Sequence, residues 1–403
     1  MSSDLESSDL KTTRERLDAV DRQLIEALAD RQELIDEVAA AKAGSDRHGD
    51  VHDPEREAEI LDRLREKARE AGLSPSLVSE LYDRIFAHSV RHQVAHLLDA
   101  QNPGRVAGEE LVVAYQGSDG AYSHLAAENH FGAYAEALTC RGYQTFKEAV
   151  EAVEQGEARY AMLPVENTTA GSINETYDLL AERELHVVGE EVLPIRHCLM
   201  APEAVPTRSL ERIYSHPQAI AQCSDFLASL DGPAPQTYLD TALAAKKVRD
   251  DDDPAQGAIA SRRAAERHGL RVLREDIANQ SENYTRWMVV AREAIQCDEE
   301  LPCKTSLIFS TRNEDGALVQ CLGALAAHGV NATKLESRPQ LHRPWTYRFF
   351  LDIEGHAATD EVAAALDDLR DEARDLRVLG TYPSPRTPGV TRRRESHAGT
   401  RDW

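Results

Sequence analysis

The sequence predicts a multidomain fold: an all-α block, then a two-lobed α/β region, then a small α+β module of βαββαβ order. Three observations predict it. Residues 10–99 place apolar side chains at helical spacing with no strand pattern between them. From Leu111 onward, short apolar strands alternate with helices. A stretch of Pro, Gly and polar residues at Gln101–Gly108 and a second linker at Gln296–Cys303 separate the blocks. The expected domains are 10–100, 109–295 and 304–382, with a disordered tail over 383–403. With 403 residues, 41% of them hydrophobic, the chain can build several cores.

Charge narrows the partners. The net charge is −24, from 70 Asp and Glu against 46 Lys and Arg, only eight of them Lys. Such an acidic chain repels nucleic acid and anionic membranes, so neither is expected as a partner. The acidic, Lys-poor surface suits a salt-rich cytoplasm, and the Arg bias equally suits a GC-rich genome; both readings stay open. Six cysteines (Cys140, Cys198, Cys223, Cys297, Cys303, Cys321) form no CxxC pair and no metal spacing, and read as reduced thiols. The polar start MSSDLESSDL is no signal peptide, and no apolar run reaches membrane length. A cytoplasmic location is expected.

The first helix is expected over Thr13–Ala43, with Leu17, Val20, Leu24, Leu28, Ile35 and Val38 along one stripe and Gly44 as its stop. At ~1.5 Å per residue it would be about 45 Å long, too long to bury its face within so small a block. A partner chain is therefore expected. The second helix starts at Asp53-Pro54, a cap followed by proline at the first helical position, and runs to Ala71. The third starts alike at Ser74-Pro75 and runs to about Ala100.

Several polar residues interrupt the apolar faces of this block. Arg31 lies seven residues from both Leu24 and Val38, where a hydrophobe is expected, and Lys42 falls nearly on the same face. Ser89 and Gln93 share an inward face with Ile85. Each alone reads equally as a snorkelling cation or a satisfied buried amide. Together, Arg14, Arg31, Lys42, Asp53, Arg56, Glu57, Ser89 and Gln93 resemble the active-site set of the all-helical chorismate mutases, which are interlocked three-helix dimers. The loop between Lys42 and Asp53 is two residues longer than the family pattern. The resemblance implies that Arg31, with Arg14 from the other subunit, holds two substrate carboxylates. Lys42 and Gln93 would face the ether oxygen, Asp53 and Glu57 the ring hydroxyl, and Arg56 and Ser89 would complete the pocket. The rearrangement of chorismate to prephenate needs no acid, base or nucleophile, only a held conformer and stabilised charge on the departing oxygen.

The α/β region is organised around Leu163–Ile173, LPVENTTAGSI. An apolar strand is expected to stop at Pro164. Glu166, Asn167, Thr168 and Thr169 then lead through Gly171-Ser172 into a helix over Ile173–Arg183. A glycine loop opening a helix suits an anion, though a capped turn has the same spacing. A second such unit follows strand Leu111–Tyr115, at Gly117–Ser123. Ser215-His216-Pro217-Gln218 ends another strand, before a helix carrying Gln222, and Asn283–Trp287 precedes the apolar run Met288–Ala291. The chain is expected to cross to a second lobe between Glu190 and Leu199 and to return later. These loops together resemble the prephenate dehydratases, whose two lobes are similar to the periplasmic binding-protein fold. The family's functional positions fall on Glu166, Asn167, Thr168, Ser215, Gln222, Thr285 and Arg286. The resemblance implies that Thr285 donates to the leaving C4 hydroxyl and that Arg286 pairs with a carboxylate.

In the third module, strand Thr305–Thr311, helix Gly316–His328, strand Thr333–Glu336, strand Tyr347–Ile353, helix Asp360–Arg374 and strand Arg377–Tyr382 give a ferredoxin-like order. Gly316, Ala317, Leu318 and Val319, with Glu336, Ser337, Arg338 and Pro339, resemble the phenylalanine-binding elements of ACT domains; Asp315 stands where many relatives carry proline. The expected protein is thus a bifunctional enzyme of phenylalanine synthesis, taking chorismate and prephenate and inhibited by phenylalanine. It is expected to form a homodimer or higher oligomer and to need no metal or organic cofactor. Two alternatives remain at this stage: arogenate as the dehydratase substrate, and a non-catalytic sensor of aromatic ligands.

Overall fold

The computed structural model describes residues 2–43, 54–102, 110–132, 137–230, 232–340 and 346–384, with side chains from Leu10 onward and not for 42–55. The chain divides into two units, one of residues 1–108 with 296–301 and one of 109–295 with 302–403.

The first unit is helical: α1 (Ser2–Ala43), α2 (Pro54–Glu70) and α3 (Pro75–Gln101). Pro75 occupies the first turn of α3 behind Ser74, as the sequence predicts. Helices α1 and α2 each pack along α3. Helix α1 begins eleven residues earlier than the expected Thr13 (13 − 2). The apolar stripe of α1 is not covered: Leu17, Val20, Leu24, Leu28 and Val38 are exposed, Leu24 at 58%. Three helices in this open arrangement leave most of so long a helix without a facing surface. Ser89, Gln93, Ala95, Leu97 and Leu98 of α3 are buried.

The second unit starts with one lobe. It contains β1 (Leu111–Gln116), α4 (Tyr122–Phe131), β2 (Leu138–Tyr143), α5 (Phe146–Gln155), β3 (Tyr160–Asn167), β4 (Gly171–Ser172), α6 (Asn174–Glu182) and β5 (His186–Pro194). The second lobe contains β6 (Cys198–Ala201), β7 (Arg212–Ser215), α7 (Pro217–Gln222), α8 (Ser224–Ala228), β8 (Ala234–Thr237), α9 (Thr241–Asp251), β9 (Gln256–Ala260), α10 (Arg262–His268) and β10 (Arg271–Arg274). Strand β11 (Tyr284–Ala291) then returns to the first lobe. The first sheet has the order β2-β1-β3-β11-β5, and the second β10-β6-β9-β7-β8. The two crossings between lobes lie side by side, tied by Ile195 N–H to Asn283 O at 2.7 Å and Ile277 N–H to His197 O at 3.1 Å.

Two expectations in the Leu163–Ile173 stretch need correction. Strand β3 does not stop at Pro164 but runs on to Asn167. Proline is tolerated because it lies beyond the pairing with β1 and at a register shift against β11. Gly171-Ser172 does not open the helix; it folds back as β4 against Glu166 and Asn167. Gly171 has φ +84°, which a hairpin of this tightness reserves for glycine.

The third module follows: β12 (Cys303–Thr311), α11 (Ala317–Ala327), β13 (Ala332–Pro339), β14 (Tyr347–Glu354), α12 (Asp360–Glu372) and β15 (Ala373–Pro383). All pairings of its β13-β14-β12-β15 sheet are antiparallel. This is the βαββαβ order that the sequence predicts. The module shares a core with the first lobe. Leu163, Tyr177, Val187, Met288 and Val290 pack with Ile308, Phe350, Leu379 and Tyr382. A Cβ on Gly380 would fall 2.0 Å from the Val187 carbonyl, so only glycine permits this approach of β15 to β5. Most of the first linker (103–108) and most of the tail (385–403) lie outside the described residues.

Candidate active site

A polar chain crosses the junction of the two lobes. Asn167, at the end of β3, faces Thr285, near the start of β11, as a cross-strand pair. The backbone N–H groups of Thr169 and Ala170 donate to Asn167 Oδ1 at 3.1 and 2.9 Å. That contact fixes the amide, so Asn167 Nδ2 points the other way. It donates to Asn283 Oδ1 at 2.7 Å, Thr285 Oγ1 at 2.9 Å and Tyr284 O at 3.1 Å. The Thr285 hydroxyl, 7% exposed, therefore accepts from Asn167 and keeps its own hydrogen to donate. An incoming donor polarises a hydroxyl and strengthens it as a donor in turn.

From the second lobe, Gln222 Nε2 reaches across to Thr169 Oγ1 at 2.6 Å and Asn167 Oδ1 at 3.3 Å. Gln222 Oε1 lies 2.9 Å from His197 Nε2, and His197 Nδ1 lies 3.3 Å from the Tyr122 hydroxyl. Burial lowers the His197 pKa from its ordinary value, only partly offset by the bond to Gln222, so the ring is held neutral. Burial likewise raises Tyr122 well above its ordinary value and keeps it a phenol.

Thr168 and Ser215 support this chain rather than face it. Thr168 Oγ1 accepts from Tyr284 N–H at 2.9 Å and donates to Glu282 O, clamping the hairpin to the start of β11. Ser215, fully buried, donates to Ile259 O at 2.6 Å. Thr169, Asn283, His197 and Tyr122 join the chain without being among the residues that the sequence predicts for the site. Thr169 and Asn283 stood beside chosen residues in the same motifs; His197 carried only its position between the two lobes.

Arg286 and Glu166 require a larger correction. They form the next cross-strand pair, and strand alternation turns them to the opposite face, toward the third module. Arg286 Nε contacts Glu190 Oε2 at 2.6 Å, its Nη1 contacts Asp352 Oδ2, and its Nη2 donates to the Tyr382 hydroxyl at 3.1 Å. Lys304 Nζ completes the cluster, 2.8 Å from Glu190 Oε1. Burial works to lower the Arg286 pKa, but Asp352 and Glu190 outweigh it and hold the guanidinium well above its ordinary value. Two half-buried cations face two buried carboxylates, so the group is balanced without a substrate. Glu166 Oε1 pairs with Lys334 Nζ at 2.9 Å, which also meets Ser172 Oγ at 3.2 Å and Glu336 Oε2 at 3.4 Å.

In the third module, Gly316 caps α11 with φ +80°, and Ala317–Val319 form its first turn. Val319 is exposed. The second predicted element, 336–339, ends the edge strand β13. Its Glu336 and Arg338 reach the first lobe: Glu336 accepts from Ser172, and Arg338 binds Asp178 through both Nε (3.0 Å) and Nη2 (2.7 Å).

In the helical unit, Arg31 Nη1 lies 2.5 Å from Ser89 Oγ, whose hydroxyl also bonds Ile85 O at 2.8 Å. Gln93 is buried one turn further along α3. Arg14 is exposed on α1, and Arg56 pairs with Glu59 at 3.3 Å on the exposed side of α2. Glu57 is half-buried. Asp53 and the Lys42 side chain lie outside the described residues.

The comparisons with known proteins match two stretches of the chain. The family model for type II chorismate mutases matches residues 13–94, and that for prephenate dehydratases matches residues 113–295. A bifunctional chorismate mutase/prephenate dehydratase of Enterobacter agglomerans is 36% identical over 384 residues, covering 94% of this chain and 98% of that protein. Among solved structures, a prephenate dehydratase of Arthrobacter aurescens in complex with L-Phe is 32% identical, with TM-score 0.62, covering 68% of this chain and 90% of that one. GqqA, a quorum-quenching acylase, is 36% identical with TM-score 0.62 and covers 69% and 98%. With near-complete coverage by one relative and both domain models matched in order, the chain belongs to the bifunctional chorismate mutase/prephenate dehydratase family.

Proposed function

We propose that the helical unit converts chorismate to prephenate and that the two-lobed region converts prephenate to phenylpyruvate, water and carbon dioxide. Phenylalanine inhibits through the third module, which acts as an ACT domain. The single observation that carries the dehydratase reading is the Thr285 hydroxyl, held as an acceptor by Asn167 at the lobe junction. As the C4–oxygen bond of prephenate breaks, that oxygen gathers charge, and the Thr285 hydrogen supports it. The C1 carboxylate leaves as carbon dioxide while its electron pair enters the ring. A threonine hydroxyl is a poor acid near neutral pH, so Thr285 polarises and positions rather than gives up its proton outright, and the departing hydroxide becomes water with a proton from solvent.

In the helical unit, Arg31 is the central cation, and its contact with Ser89 joins α1 to α3 across the pocket. Lys42 and Gln93 serve the ether oxygen, Asp53 and Glu57 the ring hydroxyl side, and Arg56 closes the pocket. Arg14 comes from a second copy. The exposed stripe from Leu17 to Val38 supports that interlocked dimer, because one copy leaves it facing water. Gly316–Val319 and Glu336–Pro339 receive the effector. A cytoplasmic location belongs to this proposal. No described helix is long and apolar enough to cross a membrane.

The test follows chorismate with purified protein and identifies the products, with and without phenylalanine. Phenylpyruvate formation, slowed by phenylalanine, is the expected result. Turnover of arogenate in preference to prephenate would reassign the second substrate. Binding without turnover of either would make the protein a sensor.

A further inference from the structure

The polar chain at the lobe junction has a single consistent direction of donation. Backbone N–H groups can only donate, so Asn167 Oδ1 is an acceptor for Thr169 and Ala170. Thr169 Oγ1 also donates to that oxygen at 2.7 Å, and so accepts from Gln222 Nε2 at 2.6 Å. This turns Gln222 Oε1 toward His197 Nε2, 2.9 Å away. An amide oxygen has no hydrogen, so the hydrogen of that contact sits on His197 Nε2. His197 Nδ1 then carries no hydrogen; it faces the Tyr122 oxygen at 3.3 Å, whose one hydrogen goes to Arg196 O at 2.7 Å. His197 is 2% exposed and sits at the first crossing between the lobes.

We infer that His197 is a positioning residue for the dehydratase step, acting as a fixed Nε2–H donor that sets the orientation of the Gln222 amide. Without it, the amide can flip and present oxygen to Thr169 and Asn167. Two oxygens would then face each other at the point where Gln222, from the second lobe, clasps the hairpin of the first. The hairpin would lose its cross-lobe tie, and Asn167 would no longer aim steadily at Thr285. His197 touches no reacting atom; its effect passes through Gln222, Thr169 and Asn167. This inference rests on the dehydratase reading.

The test compares His197→Gln with His197→Asn in the full-length chain. A glutamine amide nitrogen can reach the place of Nε2, whereas an asparagine nitrogen reaches only that of Nδ1. His197→Asn is expected to lower dehydratase kcat about 10- to 100-fold with KM changed less than about threefold, the pattern of lost positioning rather than lost binding. His197→Gln should keep at least about a third of the wild-type kcat. Circular dichroism and thermal unfolding of the second unit, read on the same samples, report on folding. Full activity in His197→Asn overturns the inference, as does equal loss in both variants, which would mark a packing role for the ring. A second measurement needs no activity: ¹⁵N-histidine NMR of the wild-type chain, with His197 assigned by its absence in His197→Gln. It should show the neutral Nε2–H tautomer, and the Nδ1–H tautomer overturns the inference. Failure of the dehydratase reading is distinguishable, because the wild-type chain would then not turn over prephenate at all.

Discussion

Asn167 Nδ2 lies 2.9 Å from Thr285 Oγ1 and donates to it, while Glu166 and Arg286, each one residue away, leave the same two strands on the opposite face. One pair of strands thus serves two surfaces. The Asn167–Thr285 rung faces the lobe junction; the Glu166–Arg286 rung carries the charged contacts to the third module. Any shift of that module that moves Arg286 acts one residue from Thr285.

Thr285→Val tests the first rung. The swap nearly conserves volume, and Asn167 Nδ2 retains Asn283 Oδ1 and Tyr284 O as acceptors, so the fold should persist. If the hydroxyl supports the departing C4 oxygen, its loss should cost roughly 3–4 kcal/mol at the barrier, about 10²–10³-fold in dehydratase kcat. KM for prephenate should change far less. A folded variant that keeps more than about a third of wild-type turnover would remove Thr285 from the mechanism.

Arg286→Met tests the second rung. It leaves Glu190 and Asp352 facing Lys304 alone in a buried setting, and breaking such a group costs about 3–5 kcal/mol. The expected result is a clear drop in the thermal unfolding temperature of the second unit, with activity falling in step with the folded fraction. A large rise in KM for prephenate at unchanged stability would instead mean that Arg286 holds substrate.

Arg31→Ala should abolish mutase turnover and leave the dehydratase reaction on supplied prephenate nearly intact. Arg31 contacts Ser89 within the helical unit, and the dehydratase chain is built wholly from residues 122–285. Assaying each reaction separately on one preparation decides the matter, and parallel loss of both activities would contradict independent sites.

If Gln93 faces the ether oxygen, as proposed, it sets the pH dependence of the mutase. An amide donates a hydrogen bond without first being protonated, so the rate should hold at and above neutral pH. A carboxyl in that place would instead require acid. A steep fall of the mutase rate between about pH 5 and 7 would remove Gln93 from the ether oxygen.

Histidine burial sets an acid limit on stability. His124, His197 and His216 all have pKa values lowered from 6.5 in the folded chain, with burial the largest cause in each. As pH falls below 6.5, the unfolded chain takes up these protons first, so stability drops from there until the lowered folded pKa values are passed. Thermal unfolding of the full chain should shift to lower temperature between about pH 7 and 5, and His197→Gln should make that slope shallower. An unchanged slope would mean that His197 titrates normally.

Much of the architecture was legible in the chain itself. Pro75 behind Ser74, the apolar period over residues 10–99 and the alternation after Leu111 are local signals, and local signals survive folding because backbone geometry enforces them. The third module's strand and helix order was readable for the same reason. Asn167, Gln222 and Thr285 were chosen from motifs, and the fold brings them to one junction. Pro164 misled because proline usually ends a central strand, and only the register shift against Trp287 shows how it is accommodated.

What the tertiary structure alone decided is which way each motif residue points. Thr285-Arg286 and Glu166-Asn167 read along the chain as two compact sets, yet a strand sends consecutive side chains to opposite faces. The face that meets the other lobe and the face that meets the third module depend on long-range pairing of β3, β5 and β11. His197 was invisible for a related reason. Its role depends on Gln222, 25 residues away, and Tyr122, 75 residues away. The sequence by itself determined the elements and the chemical types at the site. Direction and partnership came from packing, because hydrogen bonds between distant residues exist only once the strands that carry them have found their register.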